Sequence, residues 1–239
     1  HLAAFDCFAP LALFPYSILH NMEISVNNTT LYYEKAGGGA PLILLHGNGE
    51  SHEIFREAIP LLAEHFTVYA PDTRGHGNSA PAAQLHYTDM ADDLAAFIDA
   101  LGLGQPAVYG FSDGGIAAIL LALRYPERVS RIAASGANLR PQGLTRSFLN
   151  GIRKEYCETG SPLLKLILEE PDISARDLKT IKIPALVTAG ERDIVRRSHT
   201  RKIAAALPCS ELLIIQGETH DSYVVHSTKL VPALISFFK

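Results

Sequence analysis

Short apolar runs alternate with segments of helical periodicity along most of the chain. The runs LILLH, FTVYAPD, PAVYGF, RVSRIAASG, IPALVTAG and ELLIIQG are rich in β-branched and aromatic residues, which is typical of buried strands. Segments such as YTDMADDLAAFIDALG and GGIAAILLALRYP lie between them and carry apolar residues at helical spacing. Strands that alternate with helices form mostly parallel sheets covered on both faces, so the pattern predicts an α/β fold with a doubly wound sheet.

Two segments depart from this alternation. EISVN and TTLYYEK flank Asn27 and Asn28, which predicts a hairpin that forms the antiparallel edge of the sheet. Residues 139–180 are mixed and charged and have no strand pattern, so we expect them to form a small helical cap. The predicted core then comprises residues 22–138 and 181–239.

The first 21 residues form an atypical N-terminal extension. They are apolar, but Pro10 and Pro15 interrupt the run, and it is too short to span a bilayer. The regular pattern begins at Met22, so we expect residues 1–21 to be a remnant of cloning or an unusual extension. A weakened signal peptide is the alternative, although no basic segment leads the run.

Composition narrows the classes of partner. The chain has 239 residues, 47% of them hydrophobic, which fits one domain. The formal net charge is −4 and 19% of residues are charged, so there is no basic surface of the kind that binds nucleic acid or a membrane. Three widely spaced cysteines form neither a disulfide framework nor a metal-ligand pattern, which favours a reducing cytoplasm. The oligomeric state stays open.

The stretch GFSDGG, residues 110–115, lies between a predicted strand and a predicted helix. A G-x-S-x-G turn at such a junction lifts a serine hydroxyl clear of the sheet, as a nucleophile requires. Ser112 is therefore the candidate nucleophile, and a glycine-rich turn with an idle serine is the alternative. A serine hydroxyl is weak by itself, so it needs a histidine base and an acid that orients the histidine.

His220 is the candidate base because it directly follows the late strand ELLIIQG. We expect His226 to lie at the start of the last helix, and His46 and His76 belong to glycine loops after earlier strands. The remaining histidines do not follow a predicted strand: His1, His20, His52, His65, His86 and His199.

Asp193 is the candidate acid, because it comes just past the strand PALVTAG. Glu191 in the same loop and Asp72 after an earlier strand are the alternatives. With Asp193 as the acid, the chain order is Ser, Asp, His, which is the order found in hydrolase sheets.

The backbone N–H groups of Asn48 and Asp113 are the candidate donors of an oxyanion hole. Asn48 lies in the glycine turn after LILLH, and Asp113 begins the helix after the nucleophile, where the helix dipole favours negative charge. We expect the carboxylate of Asp113 to point away from the turn.

The motifs HGNG, DTRGHGNS, GFSDGG, GERD and GETH occur in this order, and the chain resembles the α/β-hydrolase-fold superfamily over residues 23–239. The resemblance implies a carboxylesterase-like serine hydrolase with a Ser112–Asp193–His220 triad, a cap at 139–180, and a structural role for the RGHG loop. Asp113 departs from the pattern, because many relatives carry a bulkier apolar or aromatic residue there.

The resemblance implies cleavage of a carboxylic ester, lactone or thioester in a small-molecule substrate, without cofactor or metal. Carbon–carbon bond hydrolysis, cofactor-free perhydrolysis and a non-catalytic receptor are the alternatives. Epoxide hydrolases and dehalogenases are disfavoured, because those relatives carry an aspartate in place of Ser112. Four side chains of the predicted cap either line an acyl pocket or pack the cap onto the core, and packing is favoured: Phe148, Leu149, Ile152 and Tyr156.

Overall fold

The computed structural model of the protein describes residues 20–239. Residues 20 and 21 belong to the first strand, so the regular fold begins slightly before Met22. The rest of the predicted N-terminal extension, residues 1–19, lies outside the described residues.

The described residues form one sheet, whose strand order is β1-β2-β4-β3-β5-β6-β7-β8. Strands β3 to β8 run parallel, while β1 and β2 form the antiparallel edge. The predicted fold class, an α/β fold with a mostly parallel, doubly wound sheet, is therefore confirmed. The strands are β1 (His20–Val26), β2 (Thr29–Gly37), β3 (Ala40–Leu45), β4 (Phe66–Pro71), β5 (Ala107–Phe111), β6 (Arg131–Ser135), β7 (Ala185–Arg192) and β8 (Ser210–Thr219).

The predicted hairpin is present, and its turn explains the two asparagines. Val26 pairs with Thr29, which leaves Asn27 and Asn28 as the loop. Both have positive φ, 43° and 59°, as the central residues of a type I′ turn require. Asparagine tolerates this conformation better than most residues, so these two positions favour the tight turn.

Helices cover both faces of the sheet. Alternate residues of each strand face opposite sides, and one apolar cluster joins the sheet to α2, α3 and α7 while a second joins it to α1 and α8. No helix within residues 20–239 is both long enough and apolar enough to cross a membrane. The helices are α1 (Ile59–Ala63), α2 (Tyr87–Ala100), α3 (Asp113–Arg124), α4 (Arg146–Thr159), α5 (Pro162–Glu169), α6 (Ala175–Leu178), α7 (Arg197–Ala206) and α8 (Val231–Phe238).

Residues 51–65, SHEIFREAIPLLAEH, carry apolar residues near helical spacing, but they do not form one continuous helix. The first part of this segment is a short 3₁₀ helix, His52–Phe55, which begins where the Ser51 hydroxyl accepts a hydrogen bond from the N–H of Glu53. The α-helix proper begins only at Ile59, with a proline in its first turn. Proline lacks the N–H that a continuous helix would need at this point, so it starts a new helix instead of extending the old one.

Helices α4, α5 and α6 lie between β6 and β7, within the predicted cap of residues 139–180. They differ in how firmly they are packed. Helix α4 buries only Leu149, in a small cluster with Leu144 and Val195. By contrast, Leu166 of α5 and Leu178 of α6 are part of the large apolar cluster of the core. The division into core and cap stays a prediction, and α4 is its least anchored part.

We expect the backbone amides of α4 to exchange with deuterium faster than those of α6, β3 and β5. Few buried apolar contacts oppose the local opening of α4, and local stability follows such contacts. Hydrogen exchange measured by mass spectrometry on the full chain checks this. Equal protection of α4 and α6 would contradict a cap that opens at α4.

Candidate active site

Ser112 occupies the tight turn between β5 and α3. Its φ of 52° and ψ of −113° lie outside the usual regions, and its N–H donates to the carbonyl of Ser135 at 2.8 Å. The turn depends on two glycines. A Cβ at Gly110 would lie 2.6 Å from the amide nitrogen of Gly115, and a Cβ at Gly114 would lie 2.7 Å from the carbonyl oxygen of His46. The backbone therefore approaches too closely for any side chain at these positions.

The structure brings the three predicted triad residues together. Ser112 Oγ lies 3.1 Å from His220 Nε2, and His220 Nδ1 lies 2.7 Å from Asp193 Oδ1. The side chain of Asp193 is 2% exposed, and its carboxylate also accepts hydrogen bonds from the N–H groups of Gly190 and Val195. These bonds fix the carboxylate, which in turn fixes the imidazole with Nδ1 as donor and Nε2 facing the serine.

The two alternative acids lie elsewhere. Asp72 is fully buried and accepts hydrogen bonds from the N–H and Nδ1 of His52 and from the N–H of Asn78. It therefore crosslinks the loops that follow β3 and β4. Glu191 is exposed and accepts a hydrogen bond from the N–H of Gly217. Neither carboxylate contacts His220.

His46 and His226, two of the other histidines, lie outside the triad. His46 is fully buried, with Nδ1 donating to the Gly47 carbonyl and Nε2 accepting from the N–H of Thr73. Burial lowers the pKa of His46 to about 4, so it is neutral at physiological pH. His226 lies in a loop before α8 with a φ of 47°, so its expected position at the start of the last helix is wrong.

The N–H groups of Asn48 and Asp113 have no hydrogen-bond partner within residues 20–239. Both residues line the cavity above Ser112, and the role of their N–H groups as oxyanion donors stays a prediction. The side-chain amide of Asn48 donates to Asp113 Oδ2 at 2.9 Å and to the carbonyl of Leu163 in α5 at 3.1 Å. Asn48 therefore connects the turn that carries Ser112 to α5.

The sequence led us to expect that the carboxyl group of Asp113 points away from the turn, and this expectation is wrong. Asp113 lines the same cavity as Ser112, and its carboxyl group accepts hydrogen bonds from the hydroxyl of Tyr87 at 2.7 Å and from Asn48. Burial raises the pKa of Asp113, and these two donors oppose that rise. The lining of the cavity next to Ser112 therefore includes a carboxyl group.

The cavity has a volume of about 540 Å³ and opens above the triad. Phe148 and Ile152 of α4 and Ile167 of α5 line its apolar wall. The expectation that the cap side chains serve packing holds for Leu149, which is buried against Leu144 and Val195. Phe148 packs against the same cluster and also lines the cavity, while Ile152 lines the cavity. The helix turns these neighbours to different faces, so one segment supplies both functions.

Glu50 also lines this cavity, although the sequence pattern did not point to it. Its carboxylate accepts a hydrogen bond from the N–H of Gly47 at 2.9 Å. Burial raises the pKa of Glu50 from 4.5 to about 6, which is unusual for a group in a loop. The sequence offers one indication of this contact, because an acidic side chain three residues after Gly47 can accept a hydrogen bond from the N–H of that residue.

Within residues 20–239, no group of three or more His, Cys, Asp or Glu side chains has an arrangement that could hold a metal ion.

Comparison with known proteins identifies the same fold. Residues 40–156 match a family described as alpha/beta hydrolase fold. A soluble epoxide hydrolase from Corynebacterium sp. (strain C12) is 39% identical over 116 residues, which are 48% of this chain and 40% of that protein. The serine hydrolase BPHL of Homo sapiens is 27% identical over 248 residues, covering 90% of this chain and 84% of that protein.

Among solved structures, a meta-cleavage product hydrolase from Pseudomonas fluorescens IP01 superposes with a TM-score of 0.78 at 22% identity. The superposition covers 91% of this chain and 97% of that one. The match to the epoxide hydrolase spans less than half of that protein, while the structural likeness extends over the whole described fold.

Substitution of Gly114 by alanine should destabilise the protein, because the new Cβ would collide with the backbone at the end of β3. We expect a loss of about 1–3 kcal/mol or more in the free energy of unfolding. Gly151→Ala is the matched control, since nothing lies within 4 Å of a Cβ there and α4 gains a better helix former. Urea unfolding followed by circular dichroism compares the two, and equal stability would contradict the close approach.

Proposed function

The chain belongs to the α/β-hydrolase superfamily, and we propose that it is a serine hydrolase that cleaves a carboxylic ester, lactone or thioester. One observation carries the proposal, namely the continuous contact from Ser112 Oγ through His220 to Asp193 at 3.1 Å and 2.7 Å. A serine, a histidine and a buried carboxylate in this geometry are the parts that acyl transfer requires.

In the first half of the proposed reaction, Ser112 Oγ attacks the carbonyl carbon of the substrate and His220 Nε2 takes the serine proton. Asp193 stabilises the imidazolium that forms, and the N–H groups of Asn48 and Asp113 donate to the oxyanion. The bond from the carbonyl carbon to the leaving oxygen or sulfur then breaks. His220 gives its proton to the leaving group, which departs as an alcohol or thiol, and an acyl group stays on Ser112.

In the second half, a water molecule attacks the acyl carbon while His220 takes one of its protons. The bond to Ser112 Oγ breaks, His220 returns the proton to the serine, and a carboxylic acid leaves. Every proton moves through His220, so the reaction needs no cofactor and no metal ion.

The cavity supports a substrate of small to medium size. Its volume of about 540 Å³ lies within the ordinary range of small-molecule sites. The side chains of α4 and α5 offer an apolar wall for the acyl or alcohol portion, while Asp113 and Glu50 make the end near Ser112 polar. Such a site suits a small-molecule substrate, and we propose that the protein acts on one in the cytoplasm. We propose no nucleic acid and no membrane as a partner.

Carbon–carbon bond hydrolysis is the second candidate, and the likeness to the meta-cleavage product hydrolase favours it. The same triad and oxyanion donors would serve that reaction, so only a substrate panel separates the two. Epoxide hydrolysis fits the site less well despite the 39% identity of the Corynebacterium enzyme. Residue 112 is a serine, and the carboxylate of Asp113 is held by Tyr87 and Asn48.

Ser112→Ala and His220→Ala should abolish hydrolysis of p-nitrophenyl acetate without unfolding the protein. Loss of a triad member of this kind lowers kcat by about 10⁶-fold. Asp193→Asn should cost about 10⁴-fold, because the amide no longer holds the required tautomer of His220. Initial rates of the purified variants, with circular dichroism as the test of folding, check all three.

Two matched variants serve as controls. Glu191→Gln changes the acid two residues before Asp193, at the end of β7. His226→Asn replaces the neighbouring histidine with a residue that tolerates its positive φ. Both should retain wild-type rates. Substantial turnover by Ser112→Ala, or a dead His226→Asn beside an active His220→Ala, would show that the triad is wrongly assigned.

A further inference from the structure

Glu50 closes the turn that carries one of the two oxyanion donors. Its side chain accepts from the N–H of Gly47 at 2.9 Å, and its own N–H donates to the carbonyl of Gly47 at 3.3 Å. Both polar groups of Gly47 are thus held by one residue. Asn48 and Gly49, with a φ of 71°, form the tip between them.

This arrangement determines where the N–H of Asn48 points. In a trans peptide, the N–H lies opposite the carbonyl of the preceding residue. The carbonyl of Gly47 is held on its side by the N–H of Glu50 and by Nδ1 of His46 at 2.8 Å. The N–H of Asn48 therefore points in the opposite direction from that carbonyl, within the same peptide plane, and Asn48 itself lines the cavity.

The carboxyl group of Glu50 also lies close to the nucleophile. A Cβ built on Gly47 would be 2.6 Å from Glu50 Oε2 and 3.2 Å from Ser112 Cβ. The carboxyl and the serine thus flank the same side of Gly47, although the proposed reaction gives Glu50 no proton to transfer. A partly buried carboxyl group near Ser112 that takes part in no chemical step needs another explanation.

We propose that Glu50 is a positioning residue, whose carboxylate holds the glycine turn so that the N–H of Asn48 meets the oxyanion. The role rests on the proposed function, because it acts on the transition state of acyl transfer. It adds a residue that the triad alone does not contain.

The surroundings of the Glu50 carboxyl both oppose and favour its ionisation. Burial raises its pKa to about 6, while the N–H of Gly47 and the charge of His220 favour the ionised form. Asp113 and Asp221 face the same carboxyl and oppose its ionisation. The carboxylate form, which is the stronger acceptor, therefore prevails above about pH 6 and is lost below it.

Kinetics of Glu50→Ala and Glu50→Gln on p-nitrophenyl acetate test the role. Glu50→Ala should lower kcat by roughly 10-fold or more with KM nearly unchanged, less than the 10²–10³-fold lost with an oxyanion donor itself. Glu50→Gln keeps an oxygen acceptor for Gly47, so it should recover most of kcat at pH 8. Its rate should also fall less steeply than the wild-type rate as the pH drops through 6, because only the wild type loses a carboxylate at position 50. Glu57→Ala, which removes an exposed carboxylate of the same region, should match the wild type.

Thermal unfolding separates this role from a merely structural one. The folded-state pKa of Glu50 is raised, so its contribution to stability is present below the unfolded value of 4.5 and is lost as the pH rises through about 6. Glu50→Gln removes the buried charge. Its Tm should exceed that of the wild type at pH 8, and the difference should vanish below pH 4.5. A residue that served stability alone would give a lower Tm at pH 8.

The amide resonance of Gly47 provides a measurement that does not depend on activity or on Glu50→Ala folding. It should titrate with a midpoint near pH 6 in the wild type and stay constant over that range in Glu50→Gln. Three results would overturn the role of Glu50 alone: a wild-type kcat in Glu50→Ala, a kcat of Glu50→Gln no higher than that of Glu50→Ala, or a Gly47 amide that does not titrate. A wild-type protein without hydrolysis would instead overturn the proposed function, and this role with it.

Discussion

The structure depends most on the close approach of three backbone segments around the turn that carries Ser112. Neither Gly110 nor Gly114 has room for a Cβ, because the first packs against the start of α3 and the second against the end of β3. This closeness keeps Ser112 at a φ of 52° and raises its hydroxyl above the sheet. The same approach places the first turn of α3, with its unpaired N–H groups, beside the loop that follows β3.

The parallel sheet supplies the other half of the arrangement. The carboxyl ends of β3, β5, β7 and β8 meet at one edge, so their loops deliver Asn48, Ser112, Asp193 and His220 to one place. None of these loops is near another in sequence. Their convergence follows from strand direction and strand order alone, which is why a local pattern for each strand suffices to predict the site.

The sequence therefore predicts the features that rest on local chemistry. Val26 to Thr29 has the residues of a tight turn, and His220 and Asp193 each follow an apolar strand. It does not predict features that need partners from distant segments. Asp113 faces the cavity because Tyr87, 26 residues away, and Asn48, 65 residues away, donate to its carboxylate. The spacing of Glu50 indicates at most a cap on the glycine turn, and its place near Ser112 and His220 follows only from the folded structure.

The central claim is that Ser112 is the nucleophile of an acyl-transfer reaction. Treatment of the wild-type protein with a fluorophosphonate probe, followed by proteolysis and peptide mass spectrometry, tests it most directly. We expect one covalent adduct, located on Ser112 in the peptide that contains GFSDGG, and no adduct after heat denaturation. A native protein that stays unlabelled, or one labelled at another residue, would contradict it.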